Sequence, residues 1–131
     1  MSISFVDPWS PSEQELRAWA YDSASMCPDQ DWELAVAASG LWRAVLDFAR
    51  DDHCPKQAFF LSVLYLIVGD AVRTGYVLFA RDDVHRLLES ADIASGSLVA
   101  KWRSRAIALM ADPSHFDYGL WCAGGYAYHA I

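Results

Sequence analysis

Four histidines and three cysteines are scattered along the chain among 17 carboxylates, and two stretches bring such groups together closely enough to suggest chemistry. The first is His53-Cys54, which follows Asp51 and Asp52 and precedes Pro55. A thiolate at a helix start is favoured by the dipole and can act as a nucleophile. Adjacent turn residues point apart, however, and no second partner for the thiol can be named. The reading is therefore a solvated turn beside a small buried cysteine. The second stretch holds His115, Asp117, Cys122 and His129. On a helix His115 and Cys122 share a face, but Asp117 does not join them, and zinc takes tighter, paired ligand spacing. No catalytic or metal-binding residue is assigned to either set, and no cofactor is expected.

Asp70 and Arg73 fall one helical turn apart, where opposite charges pair. Their simplest role is an ion pair that fixes helix packing; the functional alternative places them at the floor of a polar pocket. His85, in Asp82-Asp83-Val84-His85-Arg86, reads as a surface histidine. No phosphate loop, dinucleotide fingerprint, nucleophile elbow or His-Glu-x-x-His is present.

The acids offer more. Asp29, Asp31, Glu33, Asp51 and Asp52 bracket the second helical region and the start of its neighbour. A charge run is usually a solvated face, yet acids beside aromatics also suit the basic cleft of a partner. Of the six tryptophans, Trp19, Trp32, Trp42 and Trp102 fall on apolar helical faces and read as core. Trp9, Tyr126 and Tyr128 lie near the termini, outside those patterns, and are candidate interface anchors.

Helices must position all of these groups. Ser10-Pro11-Ser12-Glu13 has the form of a capping box with proline at the first helical position, so a helix is expected from there to near Asp22. Leu16, Trp19 and Ala20 would form its buried stripe. From Asp31 to Arg50 a single straight helix would point Trp32 and Val36 away from Leu41, Ala44 and Phe48, so Gly40 is expected to divide or kink it. Pro55 opens the most apolar helix, through about Arg73, which is apolar all round and is expected to be central. Gly75 suits a C-terminal cap; Tyr76-Val77-Leu78-Phe79 is strand-like in composition but has no second strand, and reads as buried connector or helix. Asp82–Ala91 places Val84, Leu87, Leu88 and Ala91 on one face. Ser97–Ala111 does the same with Leu98, Val99, Trp102, Ala106, Leu109 and Met110. Asp112-Pro113 is then expected to start a further helix to about Ala123, before Gly124-Gly125.

The sum is an all-α fold of about six helices, in a compact bundle or stacked helical pairs around a central apolar helix (55–73), within one domain over 1–131. A chain 54% hydrophobic and 21% charged lies on the ordered side of the average composition. The net charge of −7 opposes phosphate attraction and argues against a nucleic-acid partner. Cys27, Cys54 and Cys122 form no C-x-x-C pair and are odd in number, which suits a reducing cytoplasm. MSISFVDPWS lacks the charge and apolar core of a secretory signal, and Ala58–Gly69 is too short to span a bilayer, so no membrane partner is expected.

Lys101-Trp102 through His115, then Tyr118-Gly119-Leu120-Trp121 and Ala127, resemble the C-terminal helices of some small all-helical immunity proteins that protect bacteria from nuclease toxins. The turns at Ala49-Arg50-Asp51 and Ala111-Asp112-Pro113 loosely resemble those of HEAT-type repeats. The first resemblance covers the C-terminal ~30 residues, carries over no binding residue, and implies a class: a small acidic helical protein that binds and blocks a partner. The leading expectation is thus an acidic, cytoplasmic interaction protein that occludes a basic toxin or enzyme. The alternatives are a small helical enzyme or ligand-binding domain with a polar pocket near Asp70 and Arg73, and an obligate homo-oligomer.

Overall fold

The computed structural model describes residues 5–28, 32–92 and 97–117. Six α-helices follow one another there: α1 (Glu13–Ala20), α2 (Trp32–Ala38), α3 (Trp42–Arg50), α4 (Gln57–Arg73), α5 (Arg81–Asp92) and α6 (Ser97–Ala111), then one 3-10 turn (Pro113–His115). No strand occurs among the described residues. The fold is all-α, as the periodicity implies.

The first helix is capped two residues later than expected. Ser12, not Ser10, accepts from the Glu15 amide, and Glu15 returns to the Ser12 amide, closing the capping box. Ser10 is held instead in a turn in which its amide donates to the Asp7 carbonyl at 3.0 Å. Glu15 has a further reason to sit at the third helical position, because it also accepts from the Val6 amide at 2.9 Å. Two backbone donors converging on one carboxylate, from Ser12 and then Val6, hold it below the usual carboxylate range.

Gly40 does divide the second helical region, at φ +78°, a left-handed conformation in which a Cβ is disfavoured. The division lets Trp32 and Val36 of α2 and Ala44, Val45 and Phe48 of α3 all turn inward against α4. The central helix is buried over Phe59–Gly69 and again at Ala71, with α2, α3 and α6 as its main neighbours. At its N-terminal half the aromatic rings meet: Trp19 stands edge-on to Trp32 and Phe59 at 4.8 and 4.9 Å, and Phe48 meets Phe60 at 4.9 Å. The N–H of a buried tryptophan usually finds an acceptor. Trp19 donates to the Met26 carbonyl and Trp32 to the Pro8 carbonyl, so these indoles also tie down the loops on either side of α1. Trp42 and Trp102 are buried too.

Two expectations fail locally. Tyr76-Phe79 is neither strand nor helix, and it is not a buried connector: Val77 and Leu78 are 81% and 66% exposed. Gly75 and Tyr76 are both left-handed, at φ +63° and +67°, and the Tyr76 amide donates to the Ala71 carbonyl at 2.7 Å. This closure turns the chain outward at the end of α4. After α6, Asp112-Pro113 starts one 3-10 turn rather than a helix, because Phe116 is already extended (φ −62°, ψ 126°). The rest of that expected helix, from Tyr118, lies outside the described residues.

Candidate partner-binding surface

The turn joining α3 to α4 is built by Asp51. Its Oδ1 accepts from the His53 amide at 2.9 Å and its carbonyl accepts from Cys54 at 3.0 Å, a turn closed by its own aspartate. Its other oxygen accepts from the hydroxyl of Tyr21, at the C-terminal end of α1, at 2.8 Å. That bond, followed by the His53 amide, holds the Asp51 carboxyl below the usual carboxylate range. The tyrosine moves the other way: burial and then the bond to Asp51 push its pKa up to about 12. Asp52 is exposed and accepts from Gln57, whose amide group also donates to the Ala49 carbonyl.

Arg17 and Lys56 both border this turn: Arg17 is exposed, 5.2 Å over the Phe48 ring and acting on Tyr21, whereas Lys56 faces inward. Lys56 donates to the carbonyls of Trp19 and Asp22 at 3.0 and 2.7 Å, and its Nζ sits 3.9 Å from the centre of the Trp19 ring. Burial draws the ammonium pKa down, opposed by Asp22. Asp22 is itself held as an anion, first by the Ser25 hydroxyl and then by the Ala24 amide. The seam between α1 and the turn thus turns the Lys56 ammonium inward, with Tyr21, Asp52 and His53 exposed, Asp51 partly exposed and the Arg17 guanidinium beside them.

Several groups singled out in the sequence are resolved by this geometry. Cys54 is buried, its thiol donates to the Ala20 carbonyl at 3.4 Å, and burial pushes its pKa up, the reverse of an activated thiolate. His53 is exposed beside it. Asp51 is partly exposed and Asp52 exposed in this turn, whereas Glu33 is 7% exposed, because the short α2 turns Trp32 and Glu33 inward together. Trp9 is half exposed, in a turn where its amide donates to Asp7. Asp29, Asp31, Tyr126 and Tyr128 lie outside the described residues. The residue that sequence reasoning missed is Tyr21. Its periodicity marks only a helix end, and its partner lies in a different turn.

The opposite end of α4 carries a cleft of about 270 Å³. Leu34, Ala37 and Ala38 of α2, Ile67 and Asp70 of α4, and Leu78 and Phe79 of the connector line it. Among the described residues, the side chains lining the pocket anticipated near Asp70 and Arg73 are thus apolar but for one carboxylate. Arg73 does pair with Asp70, but it is no wall of the cleft: its guanidinium lies 4.0 Å from the centre of the Phe116 ring. His115 is exposed and within 3.6 Å of Asp112, and Cys122 and His129 lie outside the described residues. Among the described residues no cluster of three or more metal-ligating side chains forms, and no helix is long and apolar enough to cross a membrane.

Fold and surface together define an all-α domain with an anionic turn. Comparison with protein-family models, with curated proteins and with solved structures found no match.

Proposed function

We propose that this chain is an interaction protein of the immunity or inhibitor kind, which binds a basic protein partner and blocks it by occlusion. The observation that carries the reading is the Tyr21–Asp51 hydrogen bond at the α3–α4 turn, formed where the neighbouring ammonium of Lys56 is turned inward. A carboxylate held ionised and rigid, with a second one beside it and an aromatic ring at its edge, is preorganised for arginine and lysine side chains. Aromatic residues with a polar tip are common binding anchors. The net charge of −7 adds long-range attraction toward a basic surface.

The test is capture of partners from the native host's lysate at low and moderate salt, with bound proteins identified by mass, followed by association kinetics on the captured protein. Reversing both charges, Asp51→Lys with Asp52→Lys, is expected to slow association at low salt by about tenfold or more. Unchanged kinetics in that double variant would remove the α3–α4 turn from the interface.

A further inference from the structure

We propose that the cleft at the C-terminal end of α4 is a binding site for a small organic cation with an apolar body, an arylalkyl- or alkylammonium. Asp70 would be its counter-ion and the Phe79 ring its cation–π face. The cleft lies roughly 20 Å along α4 from the Asp51 turn, taking about 1.5 Å per residue, so this site is independent of the partner surface.

Three observations carry the assignment. Among the described residues the one ionisable group on the walls is the Asp70 carboxylate, and the other lining side chains are aliphatic or aromatic. Arg73 binds one oxygen of Asp70 and donates its Nε to the Gly69 carbonyl at 3.3 Å. The second oxygen, Oδ2, accepts no hydrogen bond among the described residues. An aromatic ring and a carboxylate sharing one apolar cavity is the chemistry that selects an ammonium over a neutral or anionic isostere. The connector forms one wall of the cleft through Leu78 and Phe79. Gly75 and the left-handed Tyr76 carry the chain off α4, and Leu78, 66% exposed, stands at the rim with Leu34, 45% exposed. A non-glycine residue in that conformation is unfavourable and recurs at ligand clamps. The volume of about 270 Å³ falls just below drug-sized pockets of about 300–1,000 Å³, which sets the ligand near the size of phenethylammonium.

The test uses phenethylammonium, its neutral isostere phenethyl alcohol and the anion hydrocinnamate, titrated into the full chain while the methyl resonances of Ile67, Leu34 and Leu78 are followed by NMR. Saturable shifts at those methyls are expected with the ammonium, with affinity at least about tenfold above that of the alcohol and above the anion. Asp70→Asn is expected to bring the ammonium down to the level of the alcohol. Ala37→Leu, which fills the cleft and leaves Asp70 in place, is expected to abolish both, with melting curves confirming that each variant folds. Equal binding of ammonium and alcohol, shifts at Tyr21 instead, unchanged binding in a folded Ala37→Leu variant, or no saturable shift at millimolar ligand would each overturn the assignment. Capture of a protein partner by the Asp70→Asn variant is expected to be unaltered, so failure of this site and failure of the partner surface are separable.

Discussion

The ring of Phe116 occupies the space that any side chain at Gly69 would need. The same ring stacks on Tyr65 with centroids 5.2 Å apart, and the Tyr65 hydroxyl accepts from the Asp117 amide at 2.8 Å. The segment after α6 is thereby fastened to the central helix at a position where a glycine would otherwise be a liability, since glycine in a helix interior costs about 0.5–1 kcal/mol relative to alanine.

Gly69→Ala should therefore destabilise the protein, although it raises helix propensity. The added methyl must expel or tilt Phe116, an overpacking cost of about 1–3 kcal/mol. In a Phe116→Ala background the same substitution should be neutral or stabilising. Urea unfolding of the four proteins in this cycle checks it; additive effects would mean that the ring and the glycine are not coupled.

The Tyr21–Asp51 bond gives stability a signature at both ends of the pH scale. Asp51 has a depressed folded pKa, so its contribution is present above the unfolded carboxylate value of about 3.9 and is lost as pH falls through the folded value. Tyr21 has a raised one, about 12, so its contribution is complete below the unfolded value of about 10 and is lost as pH rises through about 12. The stability difference between wild type and Tyr21→Phe should be a plateau at neutral pH that shrinks in acid and again between about pH 10 and pH 12. A difference independent of pH would mean that the hydroxyl does not bond the carboxylate.

The helices were largely legible because each carries its own period. Val84, Leu87, Leu88 and Ala91 share one side of α5, Val99, Trp102, Ala106 and Leu109 share one side of α6, and all are buried. Gly40 could be identified as a break because the apolar faces on either side of it disagree. Where the outcome depended on contacts between distant segments, local pattern failed. Ser10 and Ser12 both begin plausible capping boxes, and the choice fell to the Val6 amide reaching Glu15. Asp112-Pro113 carries a helix-start signal, yet Phe116 is drawn away onto Tyr65 and Arg73. The acids of the candidate surface were half legible. Asp51 and Asp52 lie in a polar turn and keep at least partial exposure, whereas the burial of Glu33 depends on how α2 rolls against α4, which a short helix's wheel does not fix.

The two cysteines of the described chain should differ in reactivity. Cys27 is exposed and Cys54 is 4% exposed. In proteins carrying Cys122→Ser, a water-soluble disulfide reagent should modify Cys27 in the native state and Cys54 only as fast as the structure opens. Burial pushes both thiols up, so the contrast rests on the exposure of Cys27 and not on a difference in thiolate character. Rapid native-state labelling at Cys54 would show that α1 does not stay docked on the α3–α4 turn.

Lys56 allows the structural and the electrostatic roles of that turn to be separated. Its ammonium donates to the Trp19 and Asp22 carbonyls at the end of α1, adding to the bonds that those carbonyls already accept from the Asp22 and Ser25 amides. Lys56→Met keeps the apolar stem against the Trp19 ring but removes the donor. Both carbonyls keep those backbone partners, so the loss should be the net worth of hydrogen bonds from a partly buried cation, about 1.5 kcal/mol, and Trp19 fluorescence should change with it. Because the ammonium faces the seam rather than solvent, its removal changes little of what a partner meets. Affinity for a captured basic partner should stay within about twofold, while the paired reversal at Asp51 and Asp52 slows association by about tenfold or more. If Lys56→Met instead weakened binding as much as the reversal did while the protein stayed folded, the lysine would be a contact residue, and the anionic turn would lose the arrangement that makes it a surface for cations.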